Sequence, residues 1–228
     1  MSLQPRSPKP RAVEAATGGR DADGGPGAGR RKRREQLSRE EILDAAMALA
    51  RDGGWERMTM RAIAERLDAS PAYAYRYFQG RDAILLEIIR DGFKRMLAAM
   101  EAAVDGAADA SGALRAAKHA YVGFALDHPE LYQAMYGLGG VRVPADQTWT
   151  EGAALGELDA RLMSEISGRP PEEHEEDVLV LWAAVHGLVA LADGGRIQEP
   201  IDRSQGPLDR VLDDTLARVH ARSPAGGH

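Results

Sequence analysis

The stretch that decides the fold is "SREEILDAAMALARDGGWERMTMRAIAERLDASPAYAYRYFQGRDAILLEII", residues 38–89. Ser38 and Glu41 stand in the S-x-x-E spacing of a capping box. Ile42, Ala46, Leu49 and Ala50 then form an apolar stripe, and Gly53–Gly54 ends it, so a helix is predicted with both ends marked. Thr59 is placed to cap a short helix running to about Leu67, with Ile63, Ala64 and Leu67 turned inward. After a turn at "DAS", Ser70–Pro71 opens a third short helix, since proline suits the first helical position. Two short helices joined by a tight turn after a longer one make a helix-turn-helix layout.

Within that stretch, "YAYRYF" holds Tyr73, Tyr75, Tyr77 and Phe78, a third of the chain's twelve aromatic residues. A buried helix wants such rings three and four apart, whereas these point in several directions. Phe78 is expected to plug the helix into the core. The start of a recognition helix enters the major groove, where Ser70, Ala72 and Tyr73 meet base edges and thymine methyls. Its end lies near phosphates, where tyrosyl hydroxyls and arginines fix register, and Tyr73, Tyr75, Arg76, Tyr77 and Arg81 have the right chemistry.

Composition bounds the rest. The chain has 228 residues, 44% of them hydrophobic, enough for a buried core. It has no cysteine, which excludes disulfides, thiolate zinc and a cysteine nucleophile and suits a reducing compartment. With no apolar leader, and "VLVLWAAV" at 178–185 too short to span a bilayer, a cytoplasmic protein without membrane contact is expected. The net charge of −6 hides an asymmetry: residues 1–34 carry +6, 35–92 carry −3 and 93–228 carry −9. The local patch, not the total, sets a DNA footprint. Residues 1–34, rich in Gly, Pro, Ala and Arg, are predicted to be disordered, ending in a basic run, Arg30, Arg31, Lys32, Arg33 and Arg34, that reads as an arm along the DNA backbone or in the minor groove.

Helical periodicity continues at about 81–104, 113–128, 129–136, 149–167, 173–193 and 207–222, and no alternating run argues for a strand. The fold class is all-α: a three-helix helix-turn-helix domain at 35–82, a helical ligand-binding and dimerisation domain at 83–222, and a flexible end at 223–228.

Residues 38–89 resemble the N-terminal DNA-binding domain of TetR-family transcriptional regulators. The likeness rests on "ILDAA", the Gly–Gly turn followed by Trp55, "T-x-R-x-IA" from Thr59 to Ala64, and the "Y-x-Y-F" motif from Tyr75 with a basic residue at Arg81. The resemblance implies that Thr59 and Arg61 touch phosphate or base, that residues 70–77 read the groove, and that Tyr75, Tyr77 and Arg81 hold the backbone. The sequence departs from the family pattern at Asp68, where glycine is usual, at Ala74 for leucine and at Arg81 for lysine. Farther on, "AYVGFALDHPELYQAMYG" and "LWAAVHGLVAL" are similar to the C-terminal ligand-binding domain of one branch of the family, named for a Trp, a His and a Gly, here Trp182, His186 and Gly187.

From these readings, the ligand pocket is expected among Phe93, Met96, Met100, Tyr121, Phe124, Tyr132, Met135, Tyr136, Trp182 and His186, with core packing as the alternative for each. A face of small residues, Ala183, Gly187 and Ala190, would let a partner helix approach closely. Leu208, Leu212 and Val219 of the last helix are expected to complete a four-helix dimer interface. "EEHEED" at 172–177 reads as acid favoured at a helix start rather than a metal site. No catalytic spacing appears, and neither metal nor cofactor is expected. The function implied is a dimeric DNA-binding regulator, a repressor released from a palindromic operator by a small molecule. The alternatives are a helical carrier or enzyme built on the same scaffold and an architectural DNA binder.

Overall fold

The computed structural model describes residues 38–202 and 204–223. The basic run Arg30, Arg31, Lys32, Arg33 and Arg34, with the rest of the predicted tail at 1–34, lies outside the described residues, as does 224–228. Among the described residues there are helices and turns and no strand.

The first helix, α1 (Arg39–Gly53), starts where the sequence marks it. Ser38 accepts from the Glu41 amide, and Glu41 accepts from the Ser38 amide at 2.7 Å, so two orphan donors are satisfied reciprocally. Gly54, at φ +81°, turns the chain out of α1. Thr59 Oγ1 caps α2 (Met60–Arg66) by accepting from the Ala62 amide at 3.1 Å. The turn after α2 uses Asp68 at φ +50°, the left-handed conformation that asparagine and aspartate tolerate best after glycine.

The third helix, α3, is α-helical only over Pro71–Ala74. Beyond it the chain tightens into turns, with the Arg76 and Tyr77 amides donating to the Tyr73 and Ala74 carbonyls at 3.1 Å each. The expected two-turn helix is therefore about half α-helix and half tightened turn.

The remaining helices are α4 (Arg81–Val104), α5 (Ala110–Asp127), α6 (Pro129–Met135), α7 (Trp149–Ser167), α8 (Glu175–Asp193) and α9 (Pro207–Ala221). Several limits have a local reason visible in the sequence: Asp109 caps the start of α5, Pro129 forces the break into α6, and Gly168 leaves α7 at φ +71°. The long α4 belongs to both halves of the molecule. Its start packs on α1, its middle on α5, α6 and α7, and one continuous core runs from Ile42 through Met96 and Leu114 to Leu162 and Leu212. The functional division expected at 82–83 falls in the first turn of α4, and residues from Ser38 onward form one packed unit.

Helix α9 corrects an expectation. Leu208, Leu212 and Val219, read as dimer-interface residues, are fully buried inside the subunit's own core together with Thr215. An amphipathic helix has one apolar stripe, and here α8, α7 and α5 take it. The outward residues of α9 are instead Arg210, Asp213, Asp214, Ala217, Arg218, His220 and Ala221.

Helix α8 behaves differently. Its buried side is narrow, made of Asp177, Leu181, Val185 and Val189. Leu179 is 58% exposed, Leu191 47%, and Val180, Ala183 and Ala190 are exposed beside them. A Cβ added at Gly187 would meet nothing within 4 Å. The small-residue face is therefore uncovered in the protomer.

Candidate functional site

The helix-turn-helix surface sorts the odd aromatics. Phe78, at 3% exposure, is the core plug the sequence suggested, and Arg39 holds its guanidinium 4.3 Å above that ring. Tyr73 is buried as well, against Tyr77 with ring centroids 5.8 Å apart, which corrects its expected place at base edges. Tyr73 is buried along with Ala74 and Phe78, so its ring supports the segment from within. Tyr77 is half-buried, and its carbonyl accepts from Arg39 Nη1 at 3.1 Å. Only Tyr75 is turned out, 55% exposed, beside Arg76, Ser70 and Ala72. Arg76 lies 5.0 Å from the Tyr73 ring, which holds the guanidinium at the surface.

Arg81, expected to grip the DNA backbone, also makes contacts within the subunit. Its Nε donates to the Met58 carbonyl and its Nη2 to the Trp55 carbonyl, both at 3.0 Å. A lysine could not bridge two carbonyls with a planar fork, which accounts for arginine at this position. Arg81 thus fixes the Trp55–Met58 turn against the start of α4. Thr59 is exposed while it caps α2, and Arg61 is exposed with Glu65 as its neighbour at 2.7 Å. Such an open pair is screened by solvent and holds the guanidinium only weakly.

The second constellation lies among α5, α6 and α8. The Tyr121 hydroxyl is a hub: it pairs with the Tyr132 hydroxyl and donates to the Tyr136 hydroxyl, both at 3.0 Å. Tyr132 continues the chain to His186 Nδ1 at 2.6 Å. Rings interlock around it, with Tyr136 lying 4.7 Å from Tyr132, 5.0 Å from His186, 5.6 Å from Phe93 and 6.0 Å from Trp182, centroid to centroid. Burial pushes the Tyr121 and Tyr132 phenols well above their ordinary value and Tyr136 up to about 12, and it pulls His186 below 6.5. Neutral tyrosines and a neutral imidazole result. Trp182, 40% exposed, forms the rim.

Six of the ten expected pocket residues therefore meet: Phe93, Tyr121, Tyr132, Tyr136, Trp182 and His186. Phe124 packs elsewhere, against His128 at 4.9 Å and under Arg95. Met96 and Met100 are fully buried in the core, and Met135 lies over Gly92, where α6 approaches α4.

Sequence reasoning missed two charged residues at this site. Lys118 Nζ and Asp159 Oδ2 meet at 2.5 Å, at 3% and 2% side-chain exposure, with the ammonium 5.2 Å from the Tyr121 ring. Asp159 Oδ1 is buried without a hydrogen-bond partner among the described residues. Burial pushes the Asp159 carboxyl up against the opposing pull of Lys118. The signal was present in the sequence, since Lys118 stands in register with Leu114, Ala117, Tyr121 and Val122, and Asp159 with Leu155, Leu158, Leu162 and Met163. A charge on an apolar stripe marks a buried polar site.

A third cluster has the residue types of a hydrolase. Ser167 Oγ lies 2.8 Å from His174 Nε2, and His174 Nδ1 lies 3.4 Å from Asp177, which also accepts from Arg222 at 2.6 Å. All three are sealed, His174 completely, and Ser167 Oγ accepts from the Arg169 amide at 3.1 Å. No substrate reaches a nucleophile enclosed in this way, so the cluster is a staple joining the ends of α7 and α9 to the start of α8. The acidic run holding His174 does more than neutralise a helix end, because His174 and Asp177 turn inward while Glu172, Glu173, Glu175 and Glu176 face outward.

Comparison with known proteins agrees with both halves. The family model described as bacterial regulatory proteins of the tetR family matches residues 42–88, and the model described as a tetracyclin repressor-like C-terminal domain matches 114–215. The transcriptional repressor KstR of Mycolicibacterium smegmatis is 40% identical over 74 residues, 32% of this chain and 34% of that protein, so the likeness spans about a third of the relative. An HTH-type transcriptional regulator of Mycobacterium tuberculosis is 28% identical over 239 residues, covering 100% of this chain and 98% of its own. A solved structure of a protein of unknown function from Rhodococcus sp. RHA1 superposes with a TM-score of 0.65 at 29% identity, over 80% of this chain and 93% of the other. A TetR-like transcriptional regulator from the same organism shares the fold, with a TM-score of 0.58 at 22% identity over 84% and 100% of the two chains. With the helix-turn-helix at one end, the C-terminal match containing Trp182, His186 and Gly187 at the other, and the two models in order along the chain, this protein belongs to the TetR family of bacterial regulatory proteins.

Proposed function

We propose that this chain is a homodimeric, sequence-specific DNA-binding transcriptional regulator, a repressor released from a palindromic operator by a small-molecule effector. The observation that carries the reading is the outward face of the α3 segment. Ser70, Ala72, Tyr75 and Arg76 are exposed together, while Tyr73, Ala74 and Phe78 anchor the same segment in the core. A rigidly backed strip of hydroxyl, methyl and guanidinium groups suits base edges and phosphates. Thr59 and Arg61, exposed at the start of α2, stand where a backbone contact would begin.

Dimerisation is supported by the open face of α8, whose Ala183, Gly187 and Ala190 allow a close helix approach beside exposed Leu179 and Leu191. Effector control is supported by the way the two sites are tied. Trp55 Nε1 donates to the Glu130 carbonyl on α6 at 3.0 Å, and the same helix carries Tyr132 of the aromatic cluster. Arg81 joins the Trp55 turn to α4. Movement of α6 around a ligand is thereby transmitted to the helix-turn-helix, and a dimer fits its half-sites only at the matching spacing. Relatives described as transcriptional repressors support the sign of regulation.

The test is operator binding by the double variant Tyr75→Ala/Arg76→Ala, followed by fluorescence anisotropy. Affinity is expected to fall at least ~10-fold, at roughly 1–3 kcal/mol per lost contact, with the melting temperature unchanged because both side chains are exposed. Unchanged affinity would remove α3 from the interface.

A further inference from the structure

The Lys118–Asp159 pair is an unusual thing to place beside an aromatic cluster. A buried ion pair is rarely worth its desolvation cost as stabilisation, and this one leaves Asp159 Oδ1 without a partner. The α7 face leading to it carries two glycines, each covered by a neighbouring side chain at van der Waals distance. Gly152 and Gly156 precede Asp159 at helical spacing; a Cβ at Gly152 would lie 3.6 Å from Phe93, and one at Gly156 would lie 3.5 Å from Val178. Phe93 in turn packs edge-on to Tyr136. A strip of α7 without side chains of its own, lined by Phe93 and Val178, thus leads along the helix to an unpaired buried acceptor.

Resting on the reading of the chain as an effector-controlled regulator, we propose that its effector is an uncharged flat aromatic molecule bearing a hydroxyl group, with that hydroxyl donating to Asp159 Oδ1 and its rings held among Phe93, Tyr136 and Trp182. The chemistry follows from what is already there. An unpaired carboxylate oxygen calls for a donor. A ligand ammonium would sit against Lys118 and a ligand carboxylate against Asp159, so the pair, neutral in sum, rejects either sign. The tyrosine hydroxyls remain protonated and supply no countercharge. Aromatic walls favour a flat, polarisable partner. Entry is provided at the rim, where Trp182 is partly exposed. Tyr136 ends α6 just before Gly137 at φ +69°, so its ring has a pivot beside it.

The experiment is calorimetric titration of the full chain, without DNA, using 2-naphthol, naphthalene and 2-naphthoate as probes. The hydroxyl compound is expected to bind at least ~10-fold more tightly than the other two, since a donor meeting a buried acceptor commonly contributes that factor. Replacing the pair by apolar residues of similar volume, Lys118→Met with Asp159→Leu, should leave a folded helical protein that binds 2-naphthol and naphthalene within about two-fold of each other. Should that variant not fold, Trp182→Ala, at a partly exposed position, is expected to weaken both compounds by a similar factor and keep their ratio. Equal affinity for the three probes, no binding of any of them up to their solubility limit, or a preference that survives removal of the pair would each overturn the proposal. Because no DNA is present, a protein that binds 2-naphthol but no operator sinks the regulator reading alone. A specific operator binder indifferent to the hydroxyl sinks this one alone.

Discussion

Arg81, expected at the DNA backbone, is also tied within the subunit, and that tie can be tested on its own. A basic residue after "YRYF" points to phosphate, and its guanidinium also bonds the Trp55 and Met58 carbonyls. Arg81→Ala is therefore expected to lower unfolding free energy by about 1–3 kcal/mol, the cost of leaving such acceptors unpaired, as read by urea denaturation. Wild-type stability combined with weakened DNA binding would return Arg81 to the phosphates. Tyr73 was misplaced: spacing gives direction around a helix, but the tight turn after Ala74 turns 73 inward and 75 outward. Lys118 and Asp159 stood in plain register with buried stripes and went unread because their chemistry becomes visible only when α5 and α7 are brought together. His186 gives a pH test. Burial holds its imidazole below 6.5, so the unfolded chain binds the proton more readily and stability is lost as pH falls from 6.5 through the lower folded value. Melting temperature should drop between pH 7.5 and 5.5 by more in the wild type than in His186→Gln, and equal drops would show that His186 contributes nothing to the effect.

At the scale of elements, what the sequence made legible was governed by local chemistry. Ser38 with Glu41, Thr59, Pro129 and Pro207 mark helix starts because caps and prolines act within one turn, and α1, α4, α7 and α9 run close to their expected limits. The extent of α3 was not legible, since four helical residues and a tightened turn satisfy the same apolar pattern as two full turns. Contacts between elements were equally hidden. Gly92 on α4 reads as an ordinary helical glycine, yet a Cβ there would come within 2.8 Å of Met135 Sδ and 2.9 Å of Leu131 Cδ1. The absent side chain is what lets α6 lie against α4. Gly92→Leu should separate the two helices, cost roughly 1–3 kcal/mol in denaturation and blunt the effector response. Full stability with an intact response would show that the close approach is dispensable for coupling.

For the whole molecule, the all-α class and the order of its two functional halves were legible from periodicity and from a specific N-terminal motif, whereas the choice of interface was not. Both α8 and α9 carry apolar stripes, and only packing reveals that α9 spends Leu208, Leu212 and Val219 on its own subunit while α8 keeps Leu179, Ala183 and Leu191 uncovered. Gly187→Glu, placed in open space within the protomer, should therefore fold normally and elute as a monomer, because two-fold symmetry sets both new charges into the interface. Unfolding instead would assign that face to the subunit core. The central claim is that a dimer presents two α3 faces to a symmetric site, and selection of bound duplexes from a random DNA pool tests it most directly. The account predicts enrichment of an inverted repeat whose half-sites lie about one helical turn, roughly 10–10.5 base pairs, or a multiple of it apart, with enrichment lost in Tyr75→Ala/Arg76→Ala. Recovery of a pool without symmetry, or of the same repeat by the double variant, would contradict it.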